Sequence, residues 1–427
     1  MARYLYRLIF IEILVVQSCA PRIPQITEKN EKRDLSFLYN PAQQVIHTKT
    51  WLYHISDSLS QLMVELNADE LLFNKANPEG LEKAGIELHY RLWETYPEPT
   101  RDITDSLTES IPVIKDNSLQ RYLVSIPVKI RKGKKYIIRL YIRDILRESD
   151  VEEFIYADKT NPFNAQNFKV IESKSNAPVV TSLIGTDKLF RLHYNRRDLK
   201  YITVQYFSNV KSTPIPIFSS LTINMTPPGP DSIYLVQYSD STQFQLNEKG
   251  MYHFLADTSS NEGLTLFNFG KDYPMLTTPD DLIRPLIYLT SSSEYKKMME
   301  MENSKLAVDN FWYERTGNYA VARELLRAYY NRAQYANYYF TADREGWKTD
   351  RGMVYIVFGP PRRLYKTDNE ETWVYFTKKG DPTLEMTFKR IENPYTSNMY
   401  MLQRDEYLDG FWKEAVETWR SGEPYTY

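Results

Sequence analysis

From Ser36 to Phe269 the apolar and polar positions mostly alternate, and beyond Pro274 they change to a helical spacing. In "GIELHYRL", Ile86, Leu88, Tyr90 and Leu92 fall on one side of an extended chain. In "YLVSIPVKIRKGKKYIIRLYI", Val124, Ile126, Val128 and Ile130 share one face, and Ile138, Leu140 and Ile142 form another. Gly133 in the intervening "RKGK" is free to take a positive φ, so this stretch predicts a β-hairpin. Further strands are expected at "YITVQYF", "SIYLVQY", "TQFQLNEKGMYHFLAD" and "LTLFNF". Ile202, Val204 and Phe207 keep the alternation only loosely, whereas Tyr252, Phe254 and Ala256 share a face after a turn at Glu248–Gly250. The loop "NMTPPGPDS" is stiffened by Pro227, Pro228 and Pro230. Strands of this length, with no competing helical period, predict two tandem Ig-like β-sandwiches.

The C-terminal part reads as α+β. Thr278 is a candidate N-cap with Pro279 at the first helical position, and "SSSEYKKMMEM" and "NSKLAVDNFWYER" each begin with a capping-type residue. In "NYAVARELLRAYYNRAQYANYYF", Ala322, Leu325, Tyr329, Ala333, Ala336 and Phe340 form an apolar stripe. Strands are expected at Met353–Phe358, "TWVYF" and "LEMTFKR", and a closing helix buries Leu408, Phe411, Ala415 and Trp419 before Gly422. The resulting division is a signal peptide over 1–18, a tether over 19–35, sandwiches over 36–155 and 156–275, and an α+β domain over 276–427.

The leader changes the picture from a plain globular chain. Arg3 and Arg7 precede an apolar run from Leu8 to Val16, which is secretory in length and too short to span a bilayer. Ser18 then precedes Cys19, the single cysteine of the chain, and "VVQSCAP" resembles a bacterial lipobox. That resemblance implies cleavage before Cys19 and acylation of it, each buried CH₂ contributing about 0.8 kcal/mol to anchoring. The polar stretch "APRIPQITEKNEKRD" follows as a tether and lacks an acidic cluster next to the cysteine, so a periplasm-facing outer-membrane anchor is expected.

Composition narrows the chemistry. Net charge is −2 over 427 residues, which gives no electrostatic footprint for nucleic acid. One cysteine excludes intramolecular disulfides and Cys-rich zinc sites. The five histidines all lie at or before His253, so the C-terminal domain holds neither a Ser-His-Asp triad nor a histidine metal ligand of its own. No metal or cofactor is expected. His47 and His54 are spaced to face opposite sides of one strand. The 34 tyrosines suit a β-rich extracytoplasmic protein and also offer stacking platforms for sugars.

The most distinctive stretch is "GWKTDRGMVYIVFGPP", Gly346 to Pro361. It is neither a P-loop nor a dinucleotide fingerprint. Gly346 is expected to allow a tight path after the long helix, Trp347 to anchor it, and Thr349 and Asp350 to bond backbone N–H groups in a turn. Arg351 and Gly352 then lead into the strand, which Gly359-Pro360-Pro361 ends. Asp350 and Arg351 read either as an ion pair bracing the turn or, with Arg362 and Arg363, as a site for an anionic group. Asp343 with Asp350 is the best carboxylate pair for acid/base catalysis. "FWYER", Phe311 to Arg315, reads as a core helix face, with a sugar platform as the alternative.

The residues Gly346, Trp347, Thr349, Asp350, Arg351 and Gly352 resemble the signature of the GWxTD domain of Bacteroidota envelope lipoproteins. "LIYLTSSSEY", "DNFWYERTGN", "RAQYANYYF" and "TWRSGEPYTY" are similar to that family's pattern in the same order. The resemblance covers about 276–427 and implies an envelope location without implying a reaction. Together these features predict a non-catalytic lipoprotein that scaffolds or adapts an envelope assembly with an unidentified protein partner. The alternatives are a glycan-binding lipoprotein and a carboxylate-dependent hydrolase.

Overall fold

The computed structural model describes residues 33–75, 81–196, 198–208, 213–221, 229–367, 369–376 and 382–426. The leader, Cys19, most of the tether and the Pro227–Pro228 loop lie outside the described residues. The chain is mainly β, in five antiparallel sheets, with its helices concentrated in the C-terminal part.

The first sandwich is built from β1 (Thr48–His54), β2 (Ser60–Asn67), β3 (Lys83–Tyr96), β4 (Asp105–Ile114), β5 (Arg121–Val128), β6 (Lys135–Asp144) and β7 (Ser149–Asp158). The strands form two sheets, ordered β1-β2-β5 and β4-β3-β6-β7. The predicted faces hold: Ile86, Leu88, Leu92, Val124, Ile126, Val128, Ile138, Leu140 and Ile142 are buried in one core. The predicted hairpin does not. β5 pairs with β2 and β6 with β3 and β7, so the chain at Gly133, φ +78°, crosses from one sheet to the other. Alternation fixes which side of a strand is buried and is silent on which strand it pairs with. Val124 and Ile138 therefore contribute to the one core from opposite sheets.

The second sandwich comprises β8 (Phe168–Glu172), β9 (Pro178–Val179), β10 (Leu189–Tyr194), β11 (Tyr201–Ser208), β12 (Ser232–Gln237), β13 (Gln243–Gln245), β14 (Gly250–Leu255) and β15 (Leu264–Asn268). Its sheets run β13-β10-β8-β9 and β12-β11-β14-β15. Ile202, Val204, Tyr252 and Phe254 fill the space between them. The loose alternation of β11 has a physical cause: Phe207 points out of the other face. There it packs with Met251, Phe267 and Phe269 against Tyr273, in the connection that leads to α1, and Tyr395 of the C-terminal domain.

The C-terminal domain begins with α1 (Pro279–Ile283), α2 (Ser292–Met299), α3 (Ser304–Thr316) and α4 (Tyr319–Phe340). Thr278 and Ser291 form capping boxes with Asp281 and Glu294, and Asn303 caps α3, as the sequence predicts. The α4 stripe from Ala322 to Phe340 is buried throughout. Next come α5 (Asp350–Phe358), a sheet in the order β16 (Arg363–Lys366), β17 (Glu370–Phe376), β18 (Pro382–Arg390), β19 (Tyr400–Leu402), and finally α6 (Leu408–Arg420). Met353–Phe358, expected as a strand, is the body of helix α5. Every residue from Asp350 to Phe358 is buried, and a short run apolar on all sides carries no period to separate strand from helix.

One further segment belongs to this domain. A tight helical turn at Ser36–Tyr39 lies far from it in sequence, yet Leu35 and Tyr39 are part of its core. The backbone N–H of Leu35 donates to the Leu364 carbonyl at 2.8 Å, covering the outer edge of β16.

Candidate functional site

The signature occupies the junction between α4 and α5. Gly346–Lys348 makes one tight helical turn, and Thr349 caps α5. Thr349 Oγ1 accepts from the Gly352 N–H at 3.0 Å and donates to the Gly346 carbonyl at 2.7 Å. Both glycines are required by close approach. A Cβ on Gly346 would lie 2.1 Å from the Ala336 carbonyl oxygen of α4, and one on Gly352 would lie 1.9 Å from the Gly346 carbonyl oxygen. The Gly346 N–H donates to Tyr273 Oη at 3.0 Å and the Trp347 N–H to Asn337 Oδ1 at 3.0 Å, while the Trp347 carbonyl accepts from Tyr288 Oη at 2.6 Å. Trp347 itself is buried, edge-on to Tyr288.

Asp350 and Arg351, adjacent in sequence, serve different partners. Asp350 Oδ1 and Oδ2 accept from Arg404 Nη2 and Nη1 at 2.6 and 2.9 Å, and Oδ2 also accepts from the Leu402 N–H at 2.7 Å. The same guanidinium reaches out of the domain, donating to the Ile215 and Pro216 carbonyls at 3.2 and 3.3 Å. It thereby clamps a second-sandwich loop whose Ile217 enters the C-terminal core. Arg351 is 1% exposed. Its Nη1 donates to Glu371 Oε1 at 3.0 Å and to Tyr39 Oη at 3.2 Å, and its Nη2 to the Asn398 carbonyl at 2.8 Å. The guanidinium lies 4.0 Å from the Tyr400 ring centroid and 5.0 Å from that of Phe340.

Glu371 is the anionic centre of this network. Its Oε1 accepts from Tyr39 Oη at 2.8 Å and Lys366 Nζ at 2.8 Å, and its Oε2 accepts from Trp373 Nε1 at 3.3 Å. Burial raises the carboxyl, but the charges of Arg351 and Lys366 outweigh it and hold the pKa down to about 2. Burial lowers Arg351 and Lys366 in turn, and Glu371 and the surrounding tyrosines bring both above their ordinary values. Burial is also the largest cause raising Tyr39. Arg351 and Lys366 share the Glu371 carboxylate. Arg351 adds hydrogen bonds to Asn398, and Lys366 Nζ lies 5.6 Å from the Tyr400 ring centroid. The buried carboxylate is thus paired and hydrogen-bonded, the condition under which buried charges persist.

The other candidates are placed separately. Asp343 pairs with Arg344, and both Asp350 oxygens are engaged, so neither carboxylate is set up as a general acid or base. Arg362 and Arg363 are exposed at the start of β16, whereas Arg351 is buried, so the three do not converge on an anion. Phe311 and Trp312 are core residues, and Arg315 stacks on Phe311. His47 pairs with Glu70, and His54 is buried against Ser60 and the Asp158 carbonyl. Among the described residues no group of three or more His, Cys, Asp or Glu is placed to hold a metal ion.

Sequence reasoning missed Tyr39, Asn337, Lys366, Glu371, Asn398 and Arg404. One signal was present. Glu371 shares the inward parity of β17 with Trp373 and Tyr375, and a carboxylate at a core position demands a buried cation.

Residues 250–421 match the model of the GWxTD domain. The C-terminal part of the chain is a GWxTD domain. The match starts at β14, so it takes in the last two strands of the second sandwich as well as the α+β body. No curated protein matches the sequence. Among solved structures, a calcium-binding mutant of Bacteroides uniformis beta-glucuronidase 2 is similar at 15% identity and TM-score 0.16, over 26% of this chain and 13% of that one. A Bacteroides uniformis beta-glucuronidase is similar at 14% identity and TM-score 0.17, over 32% and 17% respectively. Likeness at this level says nothing of activity, and the GWxTD signature is described by its own geometry: buried, paired and tied to segments from elsewhere in the chain.

Proposed function

We propose that the chain is a non-catalytic envelope lipoprotein, anchored to the outer membrane through Cys19 and facing the periplasm, that scaffolds or adapts an envelope assembly. The observation that carries this reading is the full internal engagement of Trp347, Thr349, Asp350 and Arg351, which leaves the signature an architectural role. Part of the tyrosine excess serves the core: Tyr288, Tyr329, Tyr355 and Tyr375 are buried, and their hydroxyls donate to backbone carbonyls.

The described surface that suits a protein partner is β12, an edge strand with no charge from Ser232 to Tyr238 and with Ile233 and Leu235 60% and 70% exposed. Edge strands are ordinarily guarded by charge, proline or a bulge, and an unguarded one accepts another extended, apolar strand. The test places a photo-crosslinking residue at Leu235 in cells. The reading expects a discrete adduct that Ile233→Lys abolishes, together with acyl labelling that Cys19→Ser abolishes. A partner-free, monodisperse protein with no adduct would sink the scaffold role, and persistent labelling in the Cys19 variant would sink the anchor separately.

A further inference from the structure

Slot and plug come from different parts of the chain. Phe340, Arg351, Tyr355, Leu364, Glu371 and Trp373 all lie inside the family match at 250–421, while the segment they hold, Asp34–Asn40, lies far upstream of it. The slot has the parts of a peptide-binding site. The Leu364 carbonyl accepts from the Leu35 N–H at 2.8 Å, and the Leu364 N–H donates to Asp34 Oδ1 at 3.0 Å, so the β16 edge reads a backbone and an acidic side chain. Tyr355 Oη donates to the Tyr39 carbonyl at 2.9 Å. The Tyr39 ring enters an aromatic box of Tyr339, Phe340 and Trp373, with centroids 5.5, 4.9 and 5.6 Å away. At the bottom its hydroxyl donates to Glu371 and accepts from Arg351 of the signature. Phe37 and Leu38 pack on the rim.

We infer that the GWxTD domain carries a peptide-recognition site, specific for an acidic residue followed by an apolar turn that ends in tyrosine, and that residues 34–40 are its ligand in cis. The charged floor explains the tyrosine. A phenylalanine would leave Glu371 and Arg351, both buried, each short of one hydrogen-bond partner. Seating this segment holds the start of the described chain against the C-terminal domain, whatever lies upstream, so the inference stands apart from the scaffold and anchor readings.

The test uses the full chain with a protease site inserted at the exposed Ala42–Gln43 turn and a fluorophore N-terminal to Arg33. After cleavage the labelled fragment is expected to stay bound. An excess of unlabelled peptide 33–41 displaces it, and the same peptide carrying Tyr39→Phe displaces it roughly tenfold or more less well. Immediate loss of the fragment from a body whose circular dichroism is unchanged would overturn the inference. So would retention that no peptide competes, or unfolding of the C-terminal body on cleavage, since each makes the segment something other than a ligand. Equal competition by both peptides would overturn the specificity.

Discussion

At the scale of residues, the signature is a set of steric and electrostatic necessities. Gly346 and Gly352 face backbone oxygens at distances no Cβ tolerates. Gly346→Ala and Gly352→Ala are each expected to destabilise the C-terminal domain by about 3 kcal/mol, read by chemical denaturation with tryptophan fluorescence. Loss below about 0.5 kcal/mol for both would contradict the packing. Two buried histidines set an acid limit. His54 and His253 are both held neutral by burial, their pKa lowered from 6.5 to about 4. A depressed folded pKa contributes stability that is present above 6.5 and is lost as pH falls through about 4. Thermal midpoints should therefore drop between pH 6.5 and 4, and His54→Gln with His253→Gln should flatten that slope while lowering the midpoint at pH 7. An unaltered slope in the double variant would refute the assignment. Glu371 acts lower still: its stabilisation is present above 4.5 and lost as pH falls towards about 2.

At the scale of elements, α5 depends on its first residue. Thr349 is buried and bonds both Gly346 and Gly352, so Thr349→Ala is expected to cost about 1–2 kcal/mol and Thr349→Ser much less. Equal effects of the two substitutions in urea denaturation would point to lost methyl packing instead. This cap also marks where sequence reasoning stopped. Thr349 was legible as a residue that bonds nearby N–H groups, but the nine residues after it are buried on every side and read equally well as strand. Where one face met solvent, as in α4 or β5, both the element and its inward residues were legible. Partners were not: β5 and β6 share a hairpin-like sequence yet lie in opposite sheets. Local pattern records burial, while pairing is decided by contacts distant in sequence.

At the scale of the molecule, the C-terminal domain gathers the chain. Arg351 receives Tyr39 from the N-terminal side, and Asp350, through Arg404, receives Ile215 and Pro216 from the second sandwich. None of these partners was legible, because each ion pair or hydrogen bond joins residues that only the complete fold brings together. Ile217 is fully buried in the C-terminal core, so Ile217→Ala should cost about 2–4 kcal/mol and speed proteolysis within the 213–221 loop. An unchanged cleavage rate would mean that the clamp does not hold the loop.

The central claim is that the signature's charged residues are internal ties. The measurement that tests it most directly is a double-mutant cycle on Asp350 and Arg404, with Asp350→Asn, Arg404→Gln and the pair compared by equilibrium unfolding. The structure predicts that each single change costs about 3 kcal/mol or more and that the two couple by roughly 2 kcal/mol. Singly harmless substitutions with coupling near zero would show that Asp350 is not committed to Arg404, and would return the signature to the status of a ligand site.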